Sequence, residues 1–185
     1  STKSVPKYMS YSPSDHRCGP PSPWIKRFAG EIKPTSSVLD LACGSGRHSL
    51  LMLELGHSVV ACDINLSSLG NLKQQDKLEL VEADLENAPW PFPERQFAAI
   101  IVTNYLYRPL FPQILAALAP GGLLLYETFA AGNEQFGRPL NPDYLLNRGE
   151  LLSGILTGLT IIAYEDVTIS EPRPAALQRV CAERK

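Results

Sequence analysis

Strand-like and helix-like stretches alternate along most of this chain. Residues 36–41, 57–63, 78–84, 96–104 and 121–129 are short apolar runs closed by turn residues. Between them, residues 47–56, 66–75 and 109–119 have helical spacing, and so do residues 142–155 after the fifth run. Strands joined through helices require crossover connections, and these produce a mostly parallel sheet with helices on its faces. The last two strand-like runs, 159–168 and 176–184, have only a Pro-rich link over 171–175 between them. That link suits an antiparallel hairpin at one end of the sheet.

With 185 residues and 44% hydrophobic content, the chain predicts one domain with one core. Residues 1–34 read as an N-terminal arm with a short capping helix, in which Ser22 caps and Pro23 takes the first position. Residues 35–185 read as the catalytic domain. The arm carries Tyr8, Tyr11, His16, Arg17 and Cys18, a content that suits a lid. Gly56 is placed to stop the helix over 47–56, and Gly70 weakens the one over 66–75.

The formal net charge is -2, without the clustered Lys and Arg that grip a nucleic-acid backbone, so nucleic acid is not expected as a partner. The four cysteines and three histidines form no metal-binding spacing, and no metal is expected. No secretory leader is expected at the start of the sequence, and no apolar run is long enough to span a membrane. Free thiols suit a reducing cytosol, and a cytoplasmic location is expected. The sequence sets no oligomeric state.

The chemistry concentrates where strands end. Val38 to Arg47 runs from a strand through a glycine loop into a helix, and Gly44 and Gly46 permit a sharp turn and close ligand approach. Ligands of open α/β sheets bind at the carboxyl ends of the strands. A dinucleotide site wants a third glycine, where this chain has Ser49. Asp40 at the end of the first strand suits a cation, such as the ammonium beside the sulfonium of S-adenosylmethionine, better than a pyrophosphate. Asp63 closes the second strand and could accept both ribose hydroxyls. Asp84, followed by Leu85, closes the third and could take an adenine amine proton. A lone strand-end Asp serves equally well as a helix cap. Three at consecutive strand ends favour a cofactor.

The segment from Val38 to Ser49 resembles motif I of the class I S-adenosylmethionine-dependent methyltransferases, with Ala42 in place of the first glycine. The wording after the fifth strand is similar to that of the small bacterial tellurite-resistance-like group. The resemblance extends over residues 35–185. It implies a Rossmann-like three-layer α/β sandwich whose seven-stranded sheet is mostly parallel with the last strand antiparallel. It implies S-adenosylmethionine as methyl donor, with S-adenosylhomocysteine as product, and transfer to a small-molecule acceptor by in-line displacement. Asp40, Ala42, Gly44, Gly46, Asp63, Ile64, Asp84, Leu85 and Asn104 are then the cofactor-binding candidates. Asn104 and Tyr105 are the catalytic candidates beside the methyl group. Arg17, Tyr107, Arg108, Phe136 and Arg138 are candidates for the acceptor, and Phe129 for the pocket wall. Cys43 and Cys62 read as small buried gap fillers. Rival readings are an NAD-dependent oxidoreductase and a non-catalytic S-adenosylmethionine-binding module.

Overall fold

The computed structural model describes residues 18–185. The strands are β1 (Ser37–Leu41), β2 (Ser58–Asp63), β3 (Leu78–Glu82), β4 (Phe97–Thr103), β5 (Leu118–Phe129), β6 (Leu159–Ile169) and β7 (Ala175–Arg184). They form one seven-stranded sheet in the order β3-β2-β1-β4-β5-β7-β6. β1 to β5 run parallel, and β7 lies antiparallel between β5 and β6. The final hairpin thus sits where the Pro-rich link places it. The strand order reverses between β1 and β4, and a crevice opens at such a switch point.

Alternation along each strand feeds two cores, one per face. Val38, Val59, Ala61, Ile101 and Leu125 pack under α1 (Pro23–Ala29), α2 (Arg47–Glu54) and the segment carrying Leu69 and Leu72. Leu39, Leu41, Ile100, Val102, Leu124 and Tyr126 pack under α3 (Phe111–Ala116) and the loops carrying Phe92, Leu106 and Leu151. α1 begins as its sequence suggests: the Ser22 hydroxyl accepts from the Trp24 and Ile25 amides, with Pro23 at the first position. Trp24, Ile25 and Phe28 are buried in the same core as β1, so the capping helix is an integral part of the domain.

Two expected helices are not α-helices. Ser67–Gln74 is a pair of 3-10 turns broken at Gly70, whose backbone leaves the helical region at φ 52 and ψ -131. Residues 142–155 hold only 3-10 turns at Pro142–Tyr144 and Glu150–Leu152. Tertiary partners take the backbone groups that a helix there would need. The Arg108 guanidinium takes the carbonyls of Asp143 and Leu145. The Leu146 amide goes to the Phe129 carbonyl, and the Asn147 amide goes to the Glu150 carboxylate. Gly149, at φ 70, completes the break.

One glycine is fixed by packing as well as by backbone. Gly46 precedes α2 at φ 81, and a Cβ there would lie 2.6 Å from the buried side chains of both Leu69 and Leu72. Gly44 has φ 55 but open space around it. Gly46→Ala should lower unfolding free energy by about 2–4 kcal/mol, through overpacking added to left-handed strain. Gly44→Ala should lower it by only about 1–2 kcal/mol. Urea denaturation of both variants checks this, and equal losses would contradict the packing account.

Candidate active site

The loop between β1 and α2 turns through three left-handed residues: Ala42 at φ 55, Gly44 at φ 55 and Gly46 at φ 81. Neighbouring elements tie it down. The Cys43 amide donates to the Cys62 carbonyl at 3.0 Å, and the Gly46 amide closes a turn onto the Cys43 carbonyl at 2.9 Å. The Gly44 amide donates to the Asp63 carboxylate at 2.8 Å. The other Asp63 oxygen accepts from the Asn65 amide at 3.3 Å. A strand-end carboxylate thus flanks the loop and remains half-exposed to solvent.

Asp40 lies elsewhere than expected. Strand alternation turns it to the α2 face, where it is 2% exposed and accepts the Ser49 hydroxyl at 2.6 Å. It is therefore beneath the loop and does not open onto the crevice as a direct partner for an ammonium. Ser49, which breaks the dinucleotide pattern, is the residue that holds it. Next to Ser49, His48 Nε2 accepts from the Ser22 amide at 3.0 Å, and its Nδ1 lies 3.4 Å from the Thr103 hydroxyl. One imidazole thus joins the α1 cap, the first turn of α2 and the end of β4. The segment before α1 follows the same surface, with Arg47 bonding the Pro20 carbonyl and Ser45 the Cys18 carbonyl. Tyr8, Tyr11, His16 and Arg17 lie outside the described residues.

At the other strand ends, Asp84 accepts from the Glu86 and Asn87 amides and from the Asn87 side chain. These bonds, the Asn87 side chain first, hold its carboxyl below the usual range. Leu85 is buried in the core under this turn, whereas Ile64 is exposed beside Asp63. Burial pushes the Cys62 thiol up to about 12 and raises Cys43 further, so both are packing residues as expected.

Asn104 ends β4 at φ 55 and is exposed. Beside it lies a hollow lined by Asn104, Tyr105, Leu106, Thr128, Phe129, Pro139 and Tyr144. The candidate pocket residues Asn104, Tyr105 and Phe129 therefore meet there. Phe136 and Arg138 are exposed and do not line it, and Tyr107 packs against the core. Arg108 is not open to an anionic acceptor. Its guanidinium bonds both Glu150 oxygens, at 2.7 and 2.8 Å, as well as the two loop carbonyls. Sequence reading missed Thr128, Pro139 and Tyr144. Thr128 carried a signal, as a hydroxyl closing an apolar strand next to the switch point.

The two buried ionisable groups under the loop oppose each other. Burial raises the Asp40 carboxyl from 3.8 to about 7, with the Ser49 bond acting against it. Burial lowers the His48 imidazole from 6.5 to about 3. Asp40's contribution to stability is complete below 3.8 and is lost as pH rises toward 7. His48's is complete above 6.5 and is lost as pH falls toward 3. Between these limits the fold holds on Asp40 the proton that the unfolded chain holds on His48, and the slopes cancel. Asp40→Asn leaves only the histidine. Relative to the parent, its stability should rise with pH by about 1.4 kcal/mol per unit between about pH 4.5 and 6. Parallel urea-denaturation curves would mean that Asp40 is ionised in the fold.

Among the described residues no group of side chains could hold a metal ion, and no helix is long and apolar enough to cross a membrane. Residues 38–122 match the methyltransferase domain family. A demethylmenaquinone methyltransferase of Paenarthrobacter aurescens is 30% identical over 125 residues, 64% of this chain and 48% of that protein. This chain thus spans about half the length of that relative. Among solved structures, TehB from Haemophilus influenzae superposes with a TM-score of 0.70 at 19% identity, over 87% of this chain and 61% of its own. The Burkholderia thailandensis 1,6-didemethyltoxoflavin-N1-methyltransferase, solved with 1,6-didemethyltoxoflavin and S-adenosylhomocysteine, gives 0.68 at 19% identity, over 88% and 77%. Residues 38–122 are a methyltransferase domain, and the chain has the fold of the class I S-adenosylmethionine-dependent methyltransferases.

Proposed function

We propose that this chain transfers a methyl group from S-adenosylmethionine to a small-molecule acceptor by in-line displacement. The observation that carries the reading is the arrangement at the switch point. An open glycine loop is flanked by a half-exposed carboxylate on β2 and by an uncharged hollow at the ends of β4 and β5.

The residues present fit the donor. A Cβ on Gly44 would meet nothing within 4 Å, so the loop is open to a ligand on that side. Asp63 makes two backbone bonds and has acceptor capacity left for a ribose diol. Ile64 provides an exposed apolar surface for an adenine, and the turn of Asp84 and Leu85 lies at the adjoining strand end. The backbone of Ala42, Gly44 and Gly46 faces the donor's amino-acid tail. Asp40 acts from beneath as a positioning residue, holding α2 through Ser49. Asn104 stands between the donor and the hollow, and Tyr105 forms part of the hollow's wall.

The donor supplies a methyl carbon already activated by its sulfonium. The chain's task is therefore to bind both partners, align them and exclude water, and proximity can lower such barriers by about 7–11 kcal/mol in favourable systems. A small acceptor agrees with the net charge of -2. The P. aurescens and B. thailandensis relatives are likewise named for small molecules. Cys43, Cys62 and Cys181 are buried and unpaired, which agrees with a cytoplasmic setting. The stretch before residue 35 serves as an arm to the domain of residues 35–185, reaching the loop through Cys18 and Pro20.

S-adenosylhomocysteine should bind the full chain with micromolar affinity, measured by calorimetry, whereas NAD should not bind. No heat and no melting shift at millimolar S-adenosylhomocysteine would overturn the reading. Asp63→Ala should weaken binding by about 1–3 kcal/mol, roughly 5- to 150-fold, as charge-assisted hydrogen bonds are lost. Unchanged affinity would remove Asp63 from the ribose site.

A further inference from the structure

We propose that the hollow takes an uncharged, flat acceptor whose attacking atom already holds a free lone pair, and that Thr128 orients it. This rests on the methyl-transfer reading above and specifies its substrate class.

Thr128 is 1% exposed and lines the hollow, and its hydroxyl bonds to no protein group. A buried hydroxyl without a partner is unfavourable, and a polar atom on a bound molecule would supply one. The rest of the lining is Asn104, Leu106, Pro139 and the aromatic side chains of Tyr105, Phe129 and Tyr144. These surfaces suit a flat ring.

Charge selects further. No lining residue is cationic, and Arg108 is neutralised by Glu150. The carboxylates of Glu86 and Asp84 act on the Tyr105 side. An anion placed here would lose its hydration without gaining a counter-charge. This disfavours carboxylates, phosphates and oxyanions.

The lining also lacks a general base. It contains no carboxylate, imidazole or amine, and burial followed by Glu86 and Asp84 pushes the Tyr105 phenol above its ordinary range. The acceptor must therefore attack without prior removal of a proton. Its lone pair forms the bond to the methyl carbon as the carbon–sulfur bond breaks with its electron pair onto sulfur. Positive charge passes to the acceptor atom, which keeps it or later releases a proton to water. A heteroaromatic or amine nitrogen meets these terms.

Ligand-observed NMR on the full chain tests this with quinoline and quinaldate, the same ring without and with a carboxylate, each with and without S-adenosylhomocysteine. Quinoline should bind saturably and at least tenfold more tightly than quinaldate. Thr128→Val should weaken quinoline binding roughly tenfold, and Thr128→Ser should restore it. Quinaldate binding as tightly, quinoline failing to bind, or Thr128→Val binding like the parent would each overturn the proposal. Calorimetry with S-adenosylhomocysteine in the same samples keeps the two readings apart. Its binding without the quinoline preference overturns this inference alone, and its failure to bind overturns the methyl-transfer reading.

Discussion

The carboxyl edge of this sheet depends on how β1 is turned into α2. The chain leaves the sheet through Ala42, Gly44 and Gly46, all left-handed, and enters the helix with no Cβ at Gly46 because Leu69 and Leu72 fill that space. Such a turn is strained for side-chain-bearing residues and persists only when its surroundings over-determine it. Here they do. Asp63 holds the Gly44 amide from one side, the Cys62 carbonyl holds Cys43, and Ser49 and His48 fasten the first turn of α2 to β1, β4 and α1. The result is a stiff rim with its outer face left open, which suits holding a ligand without rearrangement.

Two polar groups make that rim possible from below, and both are neutral. A buried ionised Asp40 beside a buried imidazolium would carry large desolvation penalties. The fold keeps the proton on the carboxyl and leaves the imidazole with one acceptor and one donor nitrogen, which the Ser22 amide and Thr103 hydroxyl match. The motif I carboxylate is thereby read differently in sequence and in space. In sequence, Asp40 is one of three strand-end acids. In space, pleating sends it under α2, whereas Asp63 and Asp84 lie beyond their strand ends in solvent-accessible turns. Residue type and spacing show that an acid stands at a strand end, but the side of the sheet it faces follows from register.

The same contrast runs through the rest of the chain. Strand order, the final hairpin, the Ser22 cap and the glycine loop were legible because each rests on local chemistry: alternation, Pro links, cap geometry and permitted φ. The stretch over 142–155 was not, because its fate is set by Arg108, which is more than thirty residues away in sequence. From composition Arg108 reads equally as a ligand for an anion or as a strut, and only Glu150 and the two carbonyls decide. Thr128 was hidden for the complementary reason. A threonine in a strand is ordinary, and what sets it apart is a hydroxyl with no partner at the wall of a hollow.

The distribution of charge around the crevice also separates binding from rate. A sulfonium donor arrives positive, and carboxylates near it stabilise the bound ground state as much as any later state. Such uniform binding lowers KM without raising kcat. Acceleration has to come from interactions that strengthen as the methyl group moves. With a neutral acceptor, positive charge leaves the sulfur and grows on the acceptor atom, inside a hollow walled by the rings of Tyr105, Phe129 and Tyr144. Aromatic faces attract a desolvated cation, and their attraction would grow as that charge arrives. With an anionic acceptor the charges would annihilate, and the same rings would offer the transition state nothing that water does not. The uncharged aromatic hollow and the acidic cradle are thus complementary parts of one device: the acids hold the donor's charge, and the rings receive it.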